Sequence, residues 1–555
     1  MGGGKIQLIT VGKENSYLTL NPQISFFKSV YKKYSNFAMQ SIKLAFDNND
    51  SISFDKETRL KLKLEKNAEL INTLFFEVKL PKITNYGNYS FHWIDNLGAS
   101  IIKSARIIIG GDIIEEYDSN FMYIYHNNYL NKEKKKLYDY LSGNNLQDEY
   151  IDIANVPIHT RDKIRVPLPF WFHRNIGLSL PIFALEYSDA IVEIVLRPIK
   201  ELCLFKNTSS QITLLSSTQS SDNTTVTHES ITNGQLHTND SINLSSDDVL
   251  KFFDNNRWDL ESTLDINYIF LDDSDRLMFK NSNLRYIVEP VLKTSITNVS
   301  GNISHRIKLY HQTKELWFVA QRSDVQKRNM WLNFTNLDDD RETNYSDYQN
   351  NFLRLSSLIA QDSNSDKSAL EYLGTFTGPS ISVDLKLPLD IWSPYGITSD
   401  TIVDANDCYT IADINNILDI WKYRPYQNIP YIGNSTYKNY TSSIINEIEI
   451  FFDQVERVSK RNNRYFSLVE PYICGLSNQA KEMLLYSFSL EPYNYQPSGK
   501  CNFSHIKEVT FNMTLKDNSN ISNVYDNYKY NVYLYSRYYN ILEIKSGMGE
   551  LLFKS

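Results

Sequence analysis

The chain has 555 residues, 42% apolar and 13% aromatic, with 38 Tyr and 28 Phe; this excludes a disordered protein and exceeds what one ordinary domain holds, so two or three cores are expected. A formal net charge of −8 argues against a protein that coats nucleic acid, because binding a polyanion draws on clustered Lys and Arg. The four cysteines, Cys203, Cys408, Cys474 and Cys501, show no CxxC spacing and fit free thiols in a reducing compartment better than a disulfide scaffold.

At the N-terminus, Gly2-Gly3-Gly4-Lys5 lacks the preceding strand and the following Ser or Thr that a phosphate cradle needs, and Ile6 stands where N-myristoylation wants Ser or Thr. Residues 1–24 therefore read as a flexible arm. The start lacks the apolar core of a signal peptide, and no apolar run approaches the roughly 20 residues of a membrane helix. Synthesis in the cytosol and no transmembrane segment are expected.

Period-2 alternation then recurs. Leu60, Leu62 and Leu64 alternate with charges, and the same pattern returns at Val383–Leu387 and Val509–Leu515, as in strands with one wet face. Further strands are expected at Leu74–Leu80, Ala105–Ile109 before the turn Gly110-Gly111-Asp112, Ala190–Leu196, Leu264–Leu271, Ile303–Tyr310, Leu316–Ala320, Glu447–Phe452 and Val532–Tyr535. Helical spacing is scarcer, with Asn131–Leu141 and Ile411–Tyr423 the best candidates. Many short strands without βαβ alternation predict an all-β sandwich or barrel architecture. Residues 203–258, rich in Ser, Thr, Asn and Asp, read as a long polar loop, and residues 333–439 as a second polar region of mixed signals.

Signatures of enzyme chemistry are missing: there is no HExxH, GxSxG, Walker A loop or GxGxxG between a strand and a helix. The nine histidines are scattered without an i, i+4 pair. The paired acids Glu115-Glu116 and Asp272-Asp273 are expected to face solvent, as are the short basic stretches Lys132–Lys136 and Lys460–Arg464. Asn-x-Ser/Thr sequons abound, including Asn207, Asn223, Asn239, Asn243, Asn298, Asn302, Asn344, Asn434 and Asn439, as chance allows in such a composition. No residue is assigned to catalysis, a cofactor or a metal.

Four stretches carry a resemblance: LTLNPQISFF (Leu18–Phe27), the segment from Pro167 to Leu202 beginning PLPFWFHRNIG, YSFSLEPYNYQPSGKCNFSHI (Tyr486–Ile506) and YSRYYNILEIKSGMGELL (Tyr535–Leu552). Together and in this order they resemble the major capsid proteins of large icosahedral nucleocytoplasmic double-stranded DNA viruses. His505 and Glu550 depart from the commonest forms of the motifs.

The resemblance implies two consecutive eight-stranded antiparallel jelly rolls with long loop insertions and a few short helices. The arm would span 1–24, the first jelly roll 25–272 with 203–258 inserted between its last two strands, a helical linker 273–283, and the second jelly roll 284–555 with its protrusion at about 333–439. It further implies a non-enzymatic homotrimer forming a pseudo-hexagonal capsomer, with neighbouring capsomers, minor capsid and vertex proteins and virus-attached glycans as partners, without direct nucleic-acid binding. Such a protein is made in the host cytoplasm and located in the virion. A minor or vertex capsid paralogue is the alternative within the class. A β-sandwich carbohydrate-binding or glycan-processing protein is the alternative outside it.

Overall fold

The computed structural model describes residues 3–12, 19–47, 51–83, 89–143, 163–207, 250–335, 443–476, 482–516 and 529–554, apart from 30, 95, 254–256, 324 and 326–328, with short strands between 214 and 237. Alternation at Leu60 and Leu62 does what it predicts, placing both leucines inside while Arg59, Lys61 and Lys63 stay out. The strands of the first half are β1 (Phe37–Ala45), β2 (Thr58–Lys63), β3 (Leu70–Lys79), β4 (Ile102–Ile109), β5 (Asp112–Asp118), β6 (Lys163–Pro167), β7 (Ala190–Leu196) and β8 (Ser262–Leu271). They form two four-stranded sheets, ordered β1-β8-β3-β6 and β2-β7-β4-β5, with every pairing antiparallel.

The second half repeats this order. Its strands are β9 (Leu284–Val288), β10 (Val291–Val299), β11 (Asn302–Ile307), β12 (Gln312–Arg322), β13 (Ile445–Phe452), β14 (Val455–Asn462), β15 (Leu484–Ser487), β16 (Val509–Leu515), β17 (Tyr530–Lys545) and β18 (Met548–Leu551). One sheet runs β9-β17-β12-β15, with β10 and β18 also on β17, and the other β11-β16-β13-β14. Two sheets that exchange strands in this sequence make a jelly roll, so the chain is two jelly rolls in succession.

Helices are few and short. Gly3–Ile9 (α1) is exposed throughout, and Ser119–Tyr129 (α2) and Lys132–Ser142 (α3) join β5 toward β6. The Asn131 side chain accepts from Lys134 N and caps α3, where the sequence places a helix start. Asp273–Asn281 (α4) lies between the two jelly rolls, capped by Asp272.

Several expectations are corrected. The strand at Ile303 ends at Ile307, not Tyr310, and Val532–Tyr535 is part of a 16-residue strand. The ends of the 203–258 insertion are not bare polar loop. Cys203–Asn207 pairs with Tyr89–Trp93, while Phe252, Phe253 and Trp258 are buried in the first core, with Phe253 stacked on Trp93. Phe170, Trp171 and Phe172 are all buried within the first barrel's cluster. The strand expected at Val383–Leu387 and the helix at Ile411–Tyr423 lie outside the described residues.

Ser546-Gly547-Met548-Gly549 is a hairpin from β17 into β18 that seats on the first barrel. Tyr187 N donates to Gly547 O at 2.9 Å and Gly549 N to Ser188 Oγ at 3.2 Å. A Cβ on Gly549 would come within 2.8 Å of Ile109 and 2.9 Å of Leu185. Gly549→Val is therefore expected to lower the thermal unfolding midpoint by the equivalent of about 1–3 kcal/mol, the cost of overpacking a filled site. An unchanged midpoint by calorimetry would show that the hairpin yields freely.

Candidate functional site

The residues that tie the two barrels together form a densely packed and charged cluster. β12 is buried along both faces. Leu316, Phe318 and Ala320 point into the second barrel's own core, whereas Trp317 and Val319 belong to the cluster of the first. The same division holds on β17, with Val532 and Leu534 inward and Tyr535, Leu542 and Ile544 outward. Against this outer face the first barrel sets β5, α2 and a helical turn at Trp171–Arg174. Phe121 meets Tyr535 at 5.7 Å between ring centroids, and Tyr129 meets Trp317 edge-on at 6.1 Å.

Six charged side chains are enclosed there. Glu115 and Arg174 come from the first barrel, and Glu289, Lys314, Glu315 and Arg537 from the second; three carboxylates balance three cations. All are buried: Glu115 and Glu315 show 0% side-chain exposure and Arg174, the least covered, 12%. Arg537 reaches Glu289 at 2.5 Å and Glu315 at 3.1 Å, Lys314 reaches Glu289 at 2.8 Å, and Arg174 binds Glu289 and lies 3.8 Å from Glu115. Glu115 accepts from the backbone of both barrels, from Trp171 N at 2.9 Å and Glu289 N at 3.0 Å. A rim continues outward, where Asp118 accepts from Tyr535 Oη at 2.9 Å and pairs with Lys293 at 2.6 Å.

Burial pushes the Glu289 carboxyl up, but Arg537, Arg174 and Lys314 outweigh it and hold its pKa at about 2. Burial dominates at Glu115, whose pKa is raised despite Arg174. Burial likewise lowers Lys314 to about 8 against the opposing pull of Glu289. Enclosed charges paired across a joint fix one relative placement of the barrels and penalise others.

Reading adjacent acids as solvated fails for Glu115, whose side chain is enclosed, while Asp272 and Asp273 serve the start of α4. Sequence patterning missed Arg174, Glu289, Lys314, Glu315 and Arg537. Their one local signal is the Lys314-Glu315 pair abutting the apolar run Leu316–Ala320 in a strand. Cys203 and Cys474 are buried free thiols and Cys501 is partly buried. Among the described residues, no three His, Cys, Asp or Glu side chains come together as a metal site would need.

A cleft of about 530 Å³ lies in the second barrel, lined by β14, the helical segment Tyr465–Ile473, the end of β15 with the chain just after it, and Lys500. Arg457, Arg461 and Lys500 face Glu470 across it.

Residues 25–272 match the family model described as major capsid protein N-terminus, and residues 275–550 match that of the large eukaryotic DNA virus major capsid protein. Among curated proteins, the chain is 27% identical to the major capsid protein of Phaeocystis pouchetii virus and 24% to that of Paramecium bursaria Chlorella virus 1, each match covering 100% of both chains. Among solved structures, the chain superposes on a quasi-atomic model of the PBCV-1 virus capsid with a TM-score of 0.55 at 20% identity, covering 96% of this chain and 100% of that one. The Faustovirus major capsid protein gives 0.56 at 10% identity, covering 96% of each chain. These likenesses agree with the double jelly roll.

Two outcomes follow from the charged joint and its surroundings. Arg537→Ala leaves Glu289 and Glu315 enclosed without their shared cation and is expected to cost about 3–5 kcal/mol, read as a lowered midpoint in urea. A loss below about 1 kcal/mol, the scale of an exposed pair, would show that the joint is wet. The second concerns pH. His126, stacked on Tyr138 at 4.2 Å, is lowered to about 3 by burial and by nearby His173 and Lys135; burial also lowers His173 to about 4. The unfolded chain binds these protons near pH 6.5 and the folded one does not, so stability is present above that pH and drains away as pH falls toward 4. Each histidine should cost about 2 kcal/mol between pH 7 and 5, and His126→Phe should make the decline shallower; an unchanged slope in that variant would refute the assignment.

Proposed function

Since this chain belongs to the major capsid protein family of large eukaryotic DNA viruses, we propose that three copies form a pseudo-hexagonal capsomer of six jelly rolls, which tiles an icosahedral face. Membership makes it a structural protein of the virion capsid. The observation that carries the finer reading is the rigid joint: two jelly rolls held in one orientation by packed aromatics and a balanced buried charge cluster give a stiff two-barrel unit. Stiffness suits a tile, whose work is packing geometry.

On this reading the chain performs no catalysis. The cleft at Glu470 presents one carboxylate among three cations, where most glycosidases use two flanking carboxyl groups. That weighs against the glycan-processing alternative. The proposed domain limits are 25–272 and 284–555, with 273–283 as linker, and the 203–258 and 333–439 insertions form the outer loops. Assembly in the host cytoplasm, contacts with neighbouring capsomers and with minor and vertex proteins, and independence from nucleic acid complete the proposal. Glycans, where the virus attaches them, are assigned to outer loops. Among the described sequons, Asn298 and Asn302 are exposed at the turn between β10 and β11.

The arm is expected to serve assembly. Ile6, Leu8 and Ile9 of α1 are more than half exposed, as are Phe26 and Phe27 beyond it, so these apolar groups have nothing to cover them in the isolated chain. Light scattering on purified protein should give a trimer; a stable monomer at micromolar concentration would count against the capsomer. Deleting residues 1–24 should leave that trimer and its melting temperature nearly unchanged while preventing shell formation seen by electron microscopy. Loss of the trimer would show instead that the arm clasps subunits.

A further inference from the structure

α2 lies between the joint and α3. Phe121, Tyr125 and Tyr129 recur every four residues along one face of it, and their rings meet Tyr535, Arg537 and Trp317 of the second barrel. His126, the next position round the helix, turns instead toward α3 and the turn at Trp171–Arg174.

α3 is lightly seated. Of its 11 residues only Tyr138 and Ser142 are buried, while Leu137 and Tyr140 are 63% and 65% exposed. Ser142 abuts Gly98, and the Tyr138 ring stacks on the His126 ring. The helix is closed at both ends by its own caps, with Asn131 Oδ1 accepting from Lys134 N and Gly143 N donating to Asp139 O, so it can part from the barrel as a unit. A segment with so few buried apolar contacts opens at a fraction of the free energy of global unfolding.

The seat under Tyr138 is titratable and accepts only one charge state. His126 is 1% exposed, and neither of its ring nitrogens has a hydrogen-bond partner among the described residues; Tyr138 Oη and His173 Nδ1 are likewise unpartnered. Lys135 of α3 and His173 of the turn face His126, and His173 in turn faces Lys134 of α3 and its neighbour Arg174. β6 presents the Pro167 carbonyl, β3 sets the Phe75 ring edge-on to His173, and Asp139 of α3 is engaged by Lys135. A proton on His126 therefore adds an enclosed charge to a group of cations, and burial, His173 and Lys135 together hold its pKa at about 3.

We infer that α3 is an acid-released cover: protonation of His126 unseats the Tyr138 ring and the helix with it, and uncovers the turn that supplies Arg174 to the charged joint. The inference goes beyond the capsid reading and stands without it. An exposed histidine binds its proton near pH 6.5 and the covered one does not, so the closed state keeps its full advantage above that pH and loses it as pH falls. From pH 7.5 to 5.0 one such histidine raises the opening equilibrium about 30-fold. The joint is thus covered at neutral pH and loses its cover in mild acid, with both barrels still folded.

The test is hydrogen exchange of the whole protein read by mass spectrometry at pH 7.5 and 5.0, with labelling times scaled for the intrinsic pH dependence of exchange. Opening at Lys132–Ser142 should rise at least about 30-fold, while the core strands β7 and β16 stay protected. In His126→Phe, which keeps a ring beneath Tyr138 and removes the proton, the rise should be at least tenfold smaller. Equal exchange of α3 at the two pH values would overturn the inference, as would an equal rise in the core strands, which would mean global unfolding, or an undiminished rise in the variant. Should the variant fail to fold, the wild type decides through its slope between pH 5.5 and 4.5. About a tenfold gain in opening per pH unit supports the cover, and a flat profile overturns it.

Discussion

The enclosed six-charge cluster between the barrels is the constraint on which the remaining structure depends. Removing several ions from water costs several kcal/mol each, and their mutual attraction offsets this only when every partner is in place. Glu289 has three cationic partners, Arg174, Lys314 and Arg537, drawn from both barrels. Displacing one barrel against the other would part Arg174 from Glu289 and Glu115 from the Glu289 backbone N–H, leaving enclosed charges short of partners. Packed aromatics alone tolerate such slips better, because Trp317 and Tyr535 against Phe121 and Tyr129 form a surface that can repack. Apolar contacts supply attraction and the charges supply uniqueness.

This joint also explains why one sheet of the second barrel is written differently from the rest. A sheet with one wet face alternates apolar and polar residues, as β2 does and as Val509–Leu515 does. β12 instead serves two cores, one on each face, and so reads as the continuous run Leu316–Ala320. Lys314 and Glu315 extend the same strand into the ionic cluster. A charged pair in a strand with no wet face must be matched inside the joint: Lys314 by Glu289, and Glu315 by Arg537 and by Tyr129 of the first barrel, 186 residues earlier in the chain.

That separation sets what could be read from the sequence. Alternation located β2 and β16 because the pattern is local, and Asn131 marked the start of α3 because a cap is local too. The aromatics Phe170, Trp171 and Phe172 follow one another without a period, and their place in the first core depends on what surrounds them in space. The insertion at 203–258 read as polar throughout because its few apolar residues, Phe252, Phe253 and Trp258, show no period. They dock as an aromatic cluster with Phe91 and Trp93. The charged joint was the least legible part, since each of its members looks locally like an ordinary surface residue on a strand or turn.

The two jelly rolls share a strand order without a repeat visible in their sequences, and the difference between their equivalent faces has a physical reason. The joint within a chain forms once, during folding, and can exclude water completely because its halves never part. The equivalent faces on the other sides of the two barrels are left exposed and carry the composition of a surface, with Glu77 of the first barrel's outer sheet surrounded by Lys43, Lys163 and Arg165, and with exposed apolar groups such as Met39 and Tyr472 in patches. Interfaces that are never separated are more apolar and larger than those assembled from stable parts. Two copies of one architecture, placed on opposite sides of that distinction, are driven toward different residues at equivalent positions, and this erases the repeat in sequence while leaving the strand order intact.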